Sequence, residues 1–153
     1  SWQPAPLPEA AMDNARSIAA RITGALASCG IFSVEMFVSG DDVYFSQVTP
    51  RPSRDGLVTF VTQRINQFDL QAHATQRLPI DSTLISPGAV RFLEGHPSQA
   101  ALAAAMAVEE VTVRMLGDGT LVLATADSAA EARQRTDEAV REIYRVDGKP
   151  GEN

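Results

Sequence analysis

Hydrophobic positions recur along this chain at two distinct periods. Met12, Ala15, Ile18, Ala19, Ile22 and Leu26 return every three or four residues, which predicts a helix over 9–28 with one apolar face. Pro8 and Glu9 suit its first turn, and Gly30 is the expected stop. The period then shortens. Runs at 31–38 and 43–48, rich in β-branched and aromatic residues, flank Ser39-Gly40-Asp41-Asp42. Gly and Asp accept the positive φ of a tight turn, so the stretch predicts a β-hairpin. A three-residue loop at 40–42 would set Glu35 directly opposite Gln47. They would share a face with Ser33, Phe37, Phe45 and Thr49, while Phe32, Val34, Met36 and Val48 point the other way. Pro50-Arg51-Pro52 forms a rigid exit from the second strand.

Beyond the hairpin, helix and strand readings compete for 57–65, where Val and Thr are plentiful. Residues 66–69 read as a break, and 70–78 as a short helix ending at Pro79. Residues 79–88 read as a linker. After it come a strand at 89–93, a turn at 94–97, an Ala-rich helix at 97–107, and strands at 111–116 and 120–126 joined by Gly117-Asp118-Gly119. Asp127 or Ser128 caps a last helix over 129–144. The prolines at 4, 6 and 8 make residues 1–8 an extended lead-in. The expected fold is therefore α/β (α+β), with an antiparallel sheet built on the hairpin and backed by the 9–28 helix. A small α+β lobe follows. The expected divisions are 1–80, 81–148 and a polar, disordered tail at 149–153.

Composition narrows the chemistry. At 153 residues, 44% apolar and 21% charged, the chain has the make-up of a soluble globular protein. A net charge of −6 leaves no basic stripe to neutralise phosphates, which argues against a nucleic-acid partner. The single cysteine, Cys29, excludes an internal disulfide and fits a reducing compartment; it reads as a small buried filler. No apolar run is long enough to span a membrane and no secretory leader is apparent, so a cytoplasmic location is expected. His73 has no partner at ligand spacing and is not read as a metal ligand.

Glu35, the Gly40-Asp41 turn and Phe45-Ser46-Gln47-Val48-Thr49-Pro50-Arg51-Pro52 together resemble the metal-binding hairpin of ATP-grasp enzymes. The likeness is closest to the formate-dependent phosphoribosylglycinamide formyltransferase family of purine synthesis. It runs from Ser1-Trp2-Gln3-Pro4 to the last helix, and covers only the C-terminal part of such an enzyme. The resemblance implies Mg²⁺ and ATP as cofactors of a longer parent, with formate and glycinamide ribonucleotide as substrates, an acyl phosphate intermediate, and a homodimer. By the same resemblance, Glu35 matches the first metal ligand and Gln47 the second, where the family carries Glu. Arg51 matches a catalytic arginine. Ser53-Arg54-Asp55-Gly56 replaces the family's His-Asp-Thr-Gly, so the substrate-binding Asp aligns with Arg54 and Asp55 stands one place late. Leu116-Gly117-Asp118-Gly119-Thr120 omits a loop in which the family carries phosphate-binding Lys and Arg. Two alternatives stand beside this one: another ATP-grasp acid–amine ligase, or a non-catalytic scaffold or dimerisation domain. The family places its glycine-rich loop and adenine-binding strand upstream, and no Lys precedes Lys149. Ser1 accordingly reads as a cut point, and these residues alone are expected to be inactive and to bind ATP poorly. The hairpin would expose a strand edge, which favours self-association.

Overall fold

The structure is a computed structural model, and it describes residues 1–148. The tail at 149–153, expected to be disordered, lies outside the described residues. In chain order the elements are β1 (Trp2–Gln3), α1 (Glu9–Leu26), β2 (Ser33–Ser39), β3 (Asp42–Thr49), a 3-10 turn (Asp55–Val58), α2 (Thr59–Thr62) and α3 (Gln67–Thr75). They continue with β4 (Gly88–Glu94), α4 (Gln99–Met106), β5 (Val111–Leu116), β6 (Gly119–Thr125) and α5 (Ala129–Asp147).

The strands form two antiparallel sheets, the hairpin and a separate one that holds the three later strands, as expected, and also takes in β1, which was not. β2 and β3 pair only with each other, while a four-stranded sheet has the order β1-β4-β6-β5. The mixed α/β class holds. Helix α1 packs against both hairpin strands, and Asn14 Nδ2 donates to the Asp41 carbonyl at 3.0 Å, tying helix to turn.

β6 is the centre of the larger body because its residues are apolar on both faces. Side chains alternate across a strand. Val122 and Ala124 therefore join Ala101, Ala105, Ala139 and Ile143 of α4 and α5. Leu121 and Leu123 point the other way, to Leu57, Val58 and Val90. A strand covered on both sides reads as an unbroken hydrophobic run, as 121–124 does. The alanines at 101, 105 and 139 are fully buried.

The stretch at 57–65 divides: 57–62 is helical, as the end of the 3-10 turn and α2, while Gln63 is extended and bridges to Leu84. Its threonines, which argue locally for a strand, instead bond back to the helix: Thr59 Oγ1 donates to Gly56 O at 2.6 Å and Thr62 Oγ1 to Val58 O at 3.1 Å. Asn66 is a cap and not a break; its side chain accepts from Phe68 N and Asp69 N, so α3 begins at Gln67. Ser98 caps α4, which starts two residues past Pro97. Ser128 caps α5, which runs on to Asp147.

Two expectations at the end of α1 fail. The helix stops at Leu26, with Ala27 in the left-handed region at φ 46°, before Gly30 is reached. Cys29 thus lies beyond the last turn and is exposed instead of buried. The lead-in is also more than a tether. Trp2 and Gln3 pair with Ala89 and Gly88, and the Ser1 ammonium donates to Val90 O at 3.0 Å. Among the described residues, no helix is long and apolar enough to cross a membrane.

Candidate functional site

Glu35 stands opposite Gln47, as the sequence predicts, but a different geometry puts it there. Ser39 pairs with Asp42, so the turn has two residues, with Gly40 at φ 61°. A two-residue turn alone would move every pair out of step. A β-bulge between Glu35 and Met36 restores it: Glu35 faces Gln47, Met36 faces Phe45, and Ser46 is the extra residue. Between bulge and turn, the faces of β3 are exchanged. Tyr44, not Phe45, is the partner of Phe37. Phe37 and Tyr44 are 65% and 58% exposed, so this face of the hairpin is open.

The bulge also has a chemical effect. It brings Ser46 Oγ to Glu35, donating to Oε1 at 2.6 Å, while Gln47 Nε2 donates to Oε2 at 3.1 Å. Both carboxylate oxygens therefore already accept a hydrogen bond. All three residues are exposed.

Arg51 and Asp55 belong to a separate group. They line a cleft of about 370 Å³ together with Ser33, Gln63 and Ser82, whose lining does not include Glu35 or Gln47. Arg51 Nη1 donates to the Pro52 carbonyl at 3.2 Å, and its backbone N–H to Thr49 O at 2.9 Å. Asp55 Oδ1 accepts from Ser1 Oγ at 2.7 Å. Arg54 swings away, its guanidinium 4.4 Å from the centroid of the Phe92 ring. Of the two charges at 54 and 55, only the carboxylate faces the cleft. His73 Nδ1 lies 2.8 Å from the Pro79 carbonyl oxygen.

The residue that sequence reasoning missed is Gln67. It is 4% exposed, and its carboxamide grips Ser53 twice: Oε1 accepts from Ser53 N at 3.1 Å and Nε2 donates to Ser53 O at 2.8 Å. Its own N–H donates to Thr59 Oγ1 at 2.9 Å. Gly56 leaves the space that this side chain occupies, since a Cβ there would sit 2.0 Å from Gln67 Oε1. The loop carrying Arg51 and Asp55 is thereby pinned from beneath. A polar residue in a helix's first turn ordinarily reads as surface; the one available signal was Gly56, eleven positions earlier. Gln63 Oε1, in the wall of the same cleft, is buried with no hydrogen-bond partner.

Comparison with known proteins shows what this chain is similar to. The model of the ATP-grasp domain matches residues 1–68. Over those residues the chain is similar to ATP-grasp domains. Over the rest of its length too, the chain is similar to the C-terminal part of formate-dependent phosphoribosylglycinamide formyltransferases. The Corynebacterium efficiens enzyme of that name is 49% identical over 148 residues, covering 88% of this chain and 37% of the relative. That of Corynebacterium jeikeium is 48% identical over 153 residues, covering 91% and 37%. Among solved structures, glycinamide-RNase-transformylase T from Mycobacterium tuberculosis superposes with a TM-score of 0.87 at 44% identity, over 92% of this chain and 44% of that one. N5-carboxyaminoimidazole ribonucleotide synthetase from Thermotoga maritima, at 24% identity and a TM-score of 0.83, shares the fold over 92% of this chain and 43% of its own. The chain thus spans less than half the length of the relatives it matches.

The ATP-grasp family implies ATP and a divalent metal. Mg²⁺ requires oxygen ligands in near-octahedral directions. At this hairpin both Glu35 oxygens are engaged, and Gln47 turns an N–H donor towards the carboxylate where a cation needs a lone pair. Among the described residues no three His, Cys, Asp or Glu side chains cluster as a metal site. The pair, as arranged, does not fit a divalent cation.

Proposed function

We propose that this chain is the C-terminal segment of an ATP-grasp transformylase-like protein acting on ATP, formate and glycinamide ribonucleotide. The carrying observation is similarity through 91% of the chain at 48% identity, joined to a hairpin whose register sets Glu35 against Gln47. The Pro50-Arg51-Pro52 exit then delivers Arg51 to a cleft. Arg51 has no carboxylate partner among the described residues, which leaves its guanidinium charge available to an anionic group there. Asp55, across the same cleft, offers an acceptor to a substrate hydroxyl or amine. In this reading the protein is cytoplasmic and dimeric, Mg²⁺ enters the full-length protein with ATP and is not held by the Glu35–Gln47 pair as arranged here, and these 153 residues alone have no activity.

The hydrogen-bonded state of Glu35 favours a second reading, a scaffold that has given up nucleotide chemistry. ADP release by the full-length polypeptide, supplied with Mg-ATP, separates the two. Release that requires both formate and glycinamide ribonucleotide supports the transformylase. Release with a different acid and amine indicates a related ligase. No release with any pair refutes the catalytic reading and leaves the scaffold.

A further inference from the structure

We propose that the Gln47 carboxamide, with Ser46, closes this hairpin to divalent cations, holding Glu35 in a hydrogen-bonded clamp in place of a metal site. The inference stands on the hairpin's own geometry and does not rest on the proposed activity.

Three observations carry it. First, the register shift leaves Ser46 as the bulged residue, and from there its hydroxyl reaches Glu35 Oε1 at 2.6 Å. Second, the carboxamide presents its nitrogen to Glu35 Oε2 at 3.1 Å. That choice is electrostatic: an amide oxygen turned to a carboxylate sets two partial negative charges together, whereas N–H donation to an anion is a charge-assisted bond. Third, among the described residues no three His, Cys, Asp or Glu side chains gather as a metal site, at Glu35 or elsewhere.

A cation arriving at Glu35 would have to compete with both donors for the carboxylate's charge and lone pairs. It would also have to turn the Gln47 amide over before gaining a second oxygen, and it would then meet one formal negative charge. A Glu at position 47 reverses each term. It has no N–H to donate, and like charges directly opposite on paired strands repel until a cation lies between them. One side chain therefore decides between clamp and metal site.

The test uses the 153-residue chain, ¹⁵N-labelled and titrated with Mn²⁺, a paramagnetic probe that shares the oxygen-rich octahedral preference of Mg²⁺. Amide broadening is followed around residues 35 and 47 in the wild type, in Gln47→Glu and in Gln47→Asp. The second variant carries the same charge should the first perturb folding, and amide spectra outside the hairpin report the fold. The turn carboxylates Asp41 and Asp42 give an internal baseline for adventitious binding. We expect no saturable broadening centred on Glu35 in the wild type. In a folded carboxylate variant it should appear, with at least roughly tenfold tighter apparent binding, since even outer-shell changes at metal sites shift affinity by about that factor. Saturable binding at Glu35 in the wild type, equal to that of the variants, overturns the proposal. So does its absence from every protein, because the missing affinity would then lie elsewhere than at Gln47.

Discussion

Gly56→Ala would place a methyl carbon 2.0 Å from Gln67 Oε1 and 2.7 Å from its Cδ. No carbon and oxygen tolerate that approach, so the glutamine must leave its position. It has little room, being 4% exposed, and moving it breaks the paired bonds to Ser53 at 3.1 and 2.8 Å. Crowding a packed site costs about 1–3 kcal/mol, and each lost bond contributes about 0.5–1.5 kcal/mol. Against this, alanine limits the unfolded chain and returns about 0.4–1 kcal/mol. The net expectation is a loss of about 1–5 kcal/mol, read from the urea midpoint at constant m-value. Gln67→Ala alone removes the same two bonds and leaves the Ser53 amide and carbonyl unpaired, for about 1–3 kcal/mol. The double mutant supplies the decisive comparison. With the glutamine gone, the new methyl meets nothing, so Gly56→Ala should add little on top of Gln67→Ala. A Gly56→Ala cost within about 0.5 kcal/mol of zero, or a double mutant additive within about 0.5 kcal/mol, would refute this account of the loop.

Three further outcomes are expected. Cys29, exposed beyond α1, should react stoichiometrically with a thiol reagent in the folded protein, without denaturant. The Ser98 hydroxyl, and secondly its amide, hold the Asp147 carboxyl below its usual value of 3.8. A depressed carboxyl stabilises the fold above its unfolded pKa and loses that contribution as pH falls through the folded one. Unfolding midpoints should therefore drop on acidification below about pH 4, and less steeply in Asp147→Asn, with Asp81 and Thr83 giving a parallel background. Arg135, 16% exposed, meets Glu109, Glu110 and Glu131 and donates to Thr125 O at 2.8 Å. Arg135→Ala should cost about 1–3 kcal/mol in chemical denaturation, and added salt should narrow the gap from wild type.

How much of this could be read from the sequence depended on where the information sits. Helices α1, α4 and α5 and strands β4, β5 and β6 were legible because their signals are local: a 3.6 period for α1, and an apolar run ended by Gly117-Asp118-Gly119 for β5 and β6. The Glu35–Gln47 pair was also legible, although by compensation, since a turn one residue shorter was offset by one bulged residue. The bulge itself left no mark in the alternation. Consequently Phe45 was assigned the face that Tyr44 occupies, and the Ser46 contact with Glu35 was invisible. Cys29 failed for another reason. Helix ends depend on a single residue accepting positive φ, and an alanine doing so at position 27 contradicts its own preference. Gln67 was beyond reach because its role requires Gly56 and Ser53 to be brought together by the folded chain.

The strand at Trp2–Gln3 has a kinetic meaning. The bond between Ser1 and Val90 spans 89 positions, so forming it closes most of the chain into a ring. For a flexible chain of that length the closure entropy is on the order of 4 kcal/mol, recovered from a pairing only two residues long. Such a contact cannot nucleate folding. The short-range β5–β6 hairpin and then the β4–β6 pairing, whose nearest partners are Glu94 and Gly119, must assemble first and offer β4 as a finished edge. β1 is then the last element to dock and the first to leave. Amide exchange should report it: protons at residues 2 and 3 exchange through brief undocking, while those of β6 wait for global unfolding.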